Sequence, residues 1–193
     1  MLKVCVIIAN YNHSQYLDEA IRSILAQTHT NLEIRIIDDG SDDQDVVRDI
    51  VASHNDPRIV YQELLKNTGK WNALNTAIAK TDCRLITTLD ADDTCVPNRI
   101  ERQVAVFHAV PDTVHIMTGF HHCWSNTELT RLTSIRVKNP QLQIIDSAMT
   151  RQLVMTGKST PGINHYYTGD IETAGASAMF LRDIWEMGVR FNP

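Results

Sequence analysis

Leu85-Ile86-Thr87-Thr88-Leu89-Asp90-Ala91-Asp92-Asp93 is a short apolar run that ends in three carboxylates within four residues. The apolar part reads as a buried strand. Ionised aspartates are costly to bury alone, so the cluster at its end needs solvent, hydrogen-bond donors or a cation. Asp90 and Asp92 are two apart, which in extended backbone puts both side chains on one face. Two hard oxygen donors at a strand end suit Mg²⁺ or Mn²⁺, which take one or two carboxylates together with water and substrate phosphate. The same residues also suit a solvated turn in which an aspartate caps the next helix. The surrounding chain has to decide between the two.

Upstream, Val4-Cys5-Val6-Ile7-Ile8-Ala9 is apolar on both faces, the pattern of a central parallel strand covered by helices. It breaks at Asn10-Tyr11-Asn12-His13. Ser14 offers an N-cap to a helix carrying Leu17, Ile21, Ile24 and Leu25 at helical spacing. Leu32 to Ile37 is a second strand, closed by Asp38-Asp39-Gly40-Ser41-Asp42-Asp43. Val46, Val47, Ile50 and Val51 mark the inner face of a second helix, and Arg58 to Tyr61 a third strand. Asn67-Thr68-Gly69 turns the chain into a helix with Trp71, Leu74, Ala77 and Ile78. After the Asp90 cluster, Pro97 suits a helix start, with Ile100, Val104 and Phe107 facing inward. Val114 to Met117 reads as a fifth strand. Further on the pattern predicts a strand over Thr130 to Val137, a helix over Ile145 to Met155, a strand over Ala176 to Leu181 and a short helix over Arg182 to Met187 closed by Gly188. Alternating strands and helices of this length argue for an α/β fold with a mostly parallel central sheet.

In such a sheet the carboxyl ends of the strands share one edge, and ligands bind in the crevice there. The polar runs after the first, second and fourth strands would therefore converge. The first turn holds no glycine, so it is neither a Gly-x-Gly-x-x-Gly dinucleotide turn nor a P-loop, and a sugar nucleotidyltransferase, which wants a glycine-rich phosphate loop there, is disfavoured with them. Tyr11 could stack on a base and Asp39 accept a hydrogen bond from it, while a metal at Asp90 and Asp92 neutralised a diphosphate.

Composition fits a soluble enzyme or binding domain. The 193 residues are about one domain long, with a formal net charge of -5 and 43% hydrophobic residues. That acidity speaks against nucleic acid as a partner. Cys5, Cys83, Cys95 and Cys123 show no Cys-x-x-Cys spacing, and buried free thiols in a reducing, cytoplasmic setting are expected. No run approaches the ~20 apolar residues of a membrane span. A first strand that starts almost at Met1 argues against a signal peptide. Peripheral attachment to the inner face of a membrane stays open.

Five stretches carry a resemblance: Val6 to Asn12, Tyr16 to Thr28, Asp38 to Asp43, Asn67-Thr68-Gly69 with Ala73 to Ile78, and Leu89 to Asp93 with Pro97 to Ile100. In this order and spacing, over roughly Val4 to Phe107, they resemble the family 2 glycosyltransferases of the GT-A fold. Gly175 to Arg182 is similar to that family's acceptor-side strand. The resemblance implies a three-layer α/β/α, Rossmann-like domain over 1–193, with a nucleotide-binding half at 1–110 and an acceptor-side half at 111–193. It implies transfer of a sugar from a nucleoside diphosphate sugar, with UDP the expected nucleotide, to a saccharide, lipid-linked or protein acceptor, with inversion and with Mn²⁺ or Mg²⁺ as cofactor. It places Tyr11 beside the base and Asp39 as the acceptor for uracil, with Ala9 and Asn10 lining the pocket through their backbone and Lys70 and Ala91 also on the nucleotide. Asp92 would coordinate the cation, and Asp90 the ribose or the metal.

The family's catalytic base lies beyond the strand that Ala176 to Leu181 resembles, and no residue here matches it. Phe191-Asn192-Pro193 resembles the approach to that loop, so the acceptor half is expected to be incomplete. Asp170 and Glu172 are the nearest carboxylates, although a solvated loop suits them better. A non-catalytic nucleotide-sugar-binding module is the alternative. His121-His122-Cys123 lacks the second ligand pair of a zinc site, Trp124 and Trp185 read as core, and His165-Tyr166-Tyr167 as either an acceptor platform or an exposed strand.

Overall fold

In the computed structural model, residues 1–109, 113–118, 142–146, 178–188 and 191 are described. They form seven strands and five helices in chain order: β1 (Val4–Asn10), α1 (Ser14–Leu25), β2 (Leu32–Asp38), α2 (Gln44–Ser53), β3 (Ile59–Glu63), α3 (Lys70–Ile78), β4 (Leu85–Asp90), α4 (Arg99–Ala109), β5 (Thr113–Thr118), β6 (Leu142–Asp146), β7 (Met179–Leu181) and α5 (Arg182–Glu186). The strands make one sheet in the order β3-β2-β1-β4-β7-β5-β6. β3, β2, β1 and β4 run parallel, while β7 is antiparallel to β4 and to β5, and β6 antiparallel to β5.

Alternation along β1 explains the three layers. Val4, Val6 and Ile8 point to one face, where they pack with Leu17 and Ile21 of α1, Val47 of α2 and Ile100 of α4. Cys5 and Ile7 point to the other, against Leu74 and Ile78 of α3 and Ile184 of α5. A strand covered on both sides must be apolar at every position, which is why β1 reads as an unbroken run. Each such side chain, fully buried, contributes roughly 1.5–3 kcal/mol.

Several expectations are corrected. Ser14 begins α1 but makes no cap; its hydroxyl donates instead to Asp43 across the β2–α2 loop. Val46 faces solvent, and Val47 and Val51 alone are buried on α2. Ile145 and Asp146, expected to open a helix, lie in β6, paired with His115 and Thr113 of β5. A run of apolar residues only a few long fits either element, and an edge of β5 was there to pair with it. The expected strand at 130–137 and the rest of the expected helix lie outside the described residues, as do Cys123, Trp124, His121-His122 and His165-Tyr166-Tyr167. Cys5, Cys83 and Cys95 are free thiols, the first two buried. None of the described helices is long and apolar enough to cross a membrane.

The β2–α2 turn packs hard against the β3–α3 loop at Gly40. Its φ is +75°, and an added Cβ would fall 2.4 Å from the backbone carbon of Lys66 and 2.6 Å from the nitrogen of Asn67. Backbone cannot yield as a flexible side chain can. Gly40→Ala should therefore lower unfolding free energy by roughly 2–3 kcal/mol, read from the midpoint of urea denaturation at unchanged slope.

Candidate active site

Register brings the polar strand ends together. Asn10 lies beside Asp38 on β2, and Ala9 beside Asp90 on β4. The loops that follow are then tied to one another by side chains.

The first tie is Asp38, fully buried at 0% exposure. It accepts hydrogen bonds from Asn10 Nδ2 (2.8 Å), from Ser41 Oγ (2.5 Å) and backbone N–H (3.2 Å), and from Gln44 Nε2 (2.9 Å). Asn12 adopts the left-handed φ of +55°. In that pose its N–H donates to Ser41 Oγ, its Oδ1 accepts from the Asp42 N–H, and its Nδ2 donates to Asp42. Asparagine tolerates this conformation better than most residues. The β1 and β2 loops are thus stitched into one surface, and Tyr11, half exposed, stands on it. Asn10 Oδ1 is buried and has no hydrogen-bond partner among the described residues.

The second tie is Asp39. Its N–H donates to Asn10 O (2.8 Å). Its Oδ1 accepts from the Thr68 N–H (2.9 Å) and hydroxyl (2.7 Å), and its Oδ2 from the Gly69 N–H (2.8 Å). Gly69 has a φ of +90° and leads directly into α3. A carboxylate at this end of the helix also meets the positive end of its dipole.

α3 begins at Lys70, whose ammonium reaches both oxygens of Asp90, at 2.6 and 2.8 Å. Lys70, expected on the nucleotide, is thus ion-paired to Asp90 at the same strand edge. The same ammonium lies 5.5 Å from the Trp71 ring centre, and that ring stacks on Phe191. Asn75 holds the Phe191 backbone through both its N–H and its carbonyl.

Asp90, Asp92 and Asp93 close the ring. One carboxylate oxygen from each lies within 4.8 Å of the others. Burial, and then the neighbouring charges of Asp90 and Asp92, push the Asp93 carboxyl above its ordinary range, while Lys70 and Arg99 pull it back. His13 Nδ1 lies 3.9 Å from Asp92, which joins the β4 loop to the β1 loop. An all-oxygen cluster suits a hard divalent cation. The Lys70 ammonium on Asp90 shows positive charge already drawn to it.

Of the residues expected at the site, Asn10, Asp39, Lys70, Asp90 and Asp92 are joined by these contacts, and Ala9 and Tyr11 sit on the same edge. Ala91 differs: at 2% exposure its side chain belongs to the core, so its backbone alone can face a ligand. Asp170 and Glu172 lie outside the described residues. Asp38, Thr68, His13 and the contribution of Asp93 went unread in the sequence. Asp38 and Thr68 stand within recognised turns, yet nothing local says which partner a turn residue will find some 30 positions away.

With this geometry in view, the profile described as Glycosyl transferase family 2 matches residues 5–185. The chain belongs to that family. An uncharacterized glycosyltransferase of Nostoc sp. is 39% identical to this family 2 chain over 123 residues, 63% of the chain and 36% of the relative. Hyaluronan synthase of Streptococcus pyogenes is 33% identical over 145 residues, 71% of the chain and 34% of the synthase. The family 2 chain thus spans about a third of the length of these two relatives. Among solved structures, the mannosyltransferase PcManGT from Pyrobaculum calidifontis in complex with GDP-Man and Mn²⁺ aligns with a TM-score of 0.60 at 24% identity, over 98% of this chain and 47% of that one. S. aureus TarS 1–349 in complex with UDP-GlcNAc aligns with a TM-score of 0.60 at 16% identity, over 97% and 47%. At these identities the likeness is one of fold, and the fold is GT-A.

Proposed function

We propose that this chain is the donor-binding part of a metal-dependent, inverting glycosyltransferase that takes a sugar from a nucleoside diphosphate sugar, with UDP the expected nucleotide. One observation carries the reading: Asp39, Lys70 and the Asp90-Asp92-Asp93 cluster are linked through successive contacts on one edge of the sheet, and Tyr11 stands exposed on the same edge. Tyr11 offers a ring for the base and Asp39 an acceptor for its ring N–H. Asp92, Asp90 and Asp93 would hold Mn²⁺ or Mg²⁺, which when bound stabilises charge developing on the leaving diphosphate. Lys70, released from Asp90 as the cation takes its place, would add a second positive group beside the phosphates. The acceptor hydroxyl needs a general base; Asp170 and Glu172 are the candidates we put forward for it. Uracil and guanine, the bases of the donors named in the two solved complexes above, each carry a ring N–H that an aspartate can accept. That agrees with the reading and leaves the sugar and the acceptor to experiment.

Calorimetry with UDP, GDP and dTDP, each with and without Mn²⁺, tests the binding site. Binding should require or gain strongly from Mn²⁺; nucleotide affinity indifferent to the metal would sink the metal reading. Release of UDP from UDP-sugars separates a transferase from a module that only binds. For Tyr11→Ala, stacking predicts a loss of about 1–3 kcal/mol in UDP affinity. An unchanged affinity would return Tyr11 to the surface.

A further inference from the structure

Asp39 is almost fully buried, and its two oxygens are not equivalent. An ionised carboxylate offers about four acceptor sites, two on each oxygen. Oδ1 uses both of its sites on Thr68, one for the backbone N–H and one for the hydroxyl. Among the described residues Oδ2 accepts only from Gly69, whose N–H is shared with Asn67 Oδ1 at 2.8 Å. One acceptor site is left, on the less saturated oxygen, and no donor accompanies it. The Thr68 hydroxyl, having given its proton to Oδ1, cannot supply one.

We propose that Thr68 sets the base selectivity of the donor site. By filling Oδ1 it confines Asp39 to a single open acceptor, so the site takes nucleoside diphosphates whose base presents a ring N–H and rejects those whose base presents a ring lone pair. Uracil, thymine and guanine belong to the first group, cytosine and adenine to the second. The inference rests on the reading above that Asp39 faces the base. Loss of the hydroxyl frees a second acceptor on Oδ1 and lets the carboxylate turn. The freed Oδ1 can then accept from the exocyclic amino group that cytosine and adenine carry beside their ring lone pair. A polar site that matches its ligand's donors discriminates strongly against an analogue that leaves a buried group unpaired.

The test is the ratio of UDP to CDP affinity, measured by calorimetry with Mn²⁺ on the parent, Thr68→Val, Thr68→Ala, Thr68→Ser and Asp39→Asn. The parent should favour UDP. Both Thr68→Val and Thr68→Ala should lower the ratio by about tenfold to a hundredfold, and Thr68→Ser, which keeps the hydroxyl, should hold it within about twofold of the parent. A purely structural role would lower both affinities together and leave the ratio alone. A parent ratio retained in Thr68→Val or Thr68→Ala, or lost in Thr68→Ser, overturns the proposal. If Asp39→Asn narrows the ratio while the Thr68 variants do not, the base reading of Asp39 survives and the role of Thr68 falls. If Asp39→Asn also leaves the ratio untouched, the base reading itself falls.

Discussion

Asp92→Ala should remove the Mn²⁺-dependent part of UDP affinity, a loss of more than about a hundredfold, and leave the unfolding free energy within about 0.5 kcal/mol of the parent. The two expectations have separate physical sources. Asp92 is half exposed, and among the described residues its one partner is His13 at 3.9 Å, a distance at which an exposed pair contributes little. In the absence of a cation it adds negative charge to Asp90 and Asp93, both within reach. Truncating it therefore relieves repulsion, and a small gain in stability would be as consistent as no change. Keeping three carboxylates together without regard to stability is the mark of a ligand site. Calorimetry of UDP with and without Mn²⁺ reads the affinity, and urea denaturation the stability. A variant that binds UDP with the parent's Mn²⁺ dependence would strip Asp92 of its assigned role.

What the sequence could tell follows from the range of its signals. β1 writes an unbroken apolar run, β2 alternates apolar residues with Glu33 and Arg35, and β4 sets two threonines between apolar residues, so all three were legible, and parallel connectivity then brought Asn10, Asp38 and Asp90 to one edge before any coordinate was known. The pairing of Leu142–Asp146 with β5 was not legible, because Leu-Gln-Ile-Ile can lie on a helix as readily as on a strand until a neighbour is supplied. Ser14 shows the same limit at one residue: its local chemistry says N-cap, but Asp43, 29 positions on, wins its hydroxyl. Lys70 and Asp90, and Thr68 and Asp39, are separated by 20 and 29 positions, and no periodicity encodes such pairs. The burial of the Ala91 side chain was not legible for a related reason. The resemblance set it on the nucleotide, and the turn after β4 puts its methyl group in the core, which leaves its backbone for that contact.

Asp38 is the opposite of Asp92, and its replacement should cost the fold. Asp38→Ala should lower unfolding free energy by about 3–5 kcal/mol, a large share of the 5–15 kcal/mol typical of a domain. The carboxylate is fully buried and accepts from Asn10, Gln44 and both donors of Ser41. Two of these donors have a second acceptor: Asn10 Nδ2 can keep Ser41 Oγ at 3.2 Å, and Gln44 Nε2 can keep Leu64 O at 3.0 Å. Neither donor of Ser41 has one among the described residues, so the buried cost falls mainly there, at roughly 1–3 kcal/mol for each unsatisfied group. Asp38→Asn preserves the shape but sets an amide NH₂ against a ring of donors, so it should fall between the parent and alanine. A denaturation midpoint for Asp38→Ala equal to the parent's would contradict the network. The neighbouring Asp39 and the more distant Asp92 are the same residue type, yet the three should separate cleanly: stability for the first, base preference for the second, metal dependence for the third. Burial and the donors already present are the physical ground for that expectation. Among the described residues Asp38 has at least one donor on each oxygen and no exposure, Asp39 keeps one acceptor site open, and Asp92 is half exposed with a single distant histidine for a partner.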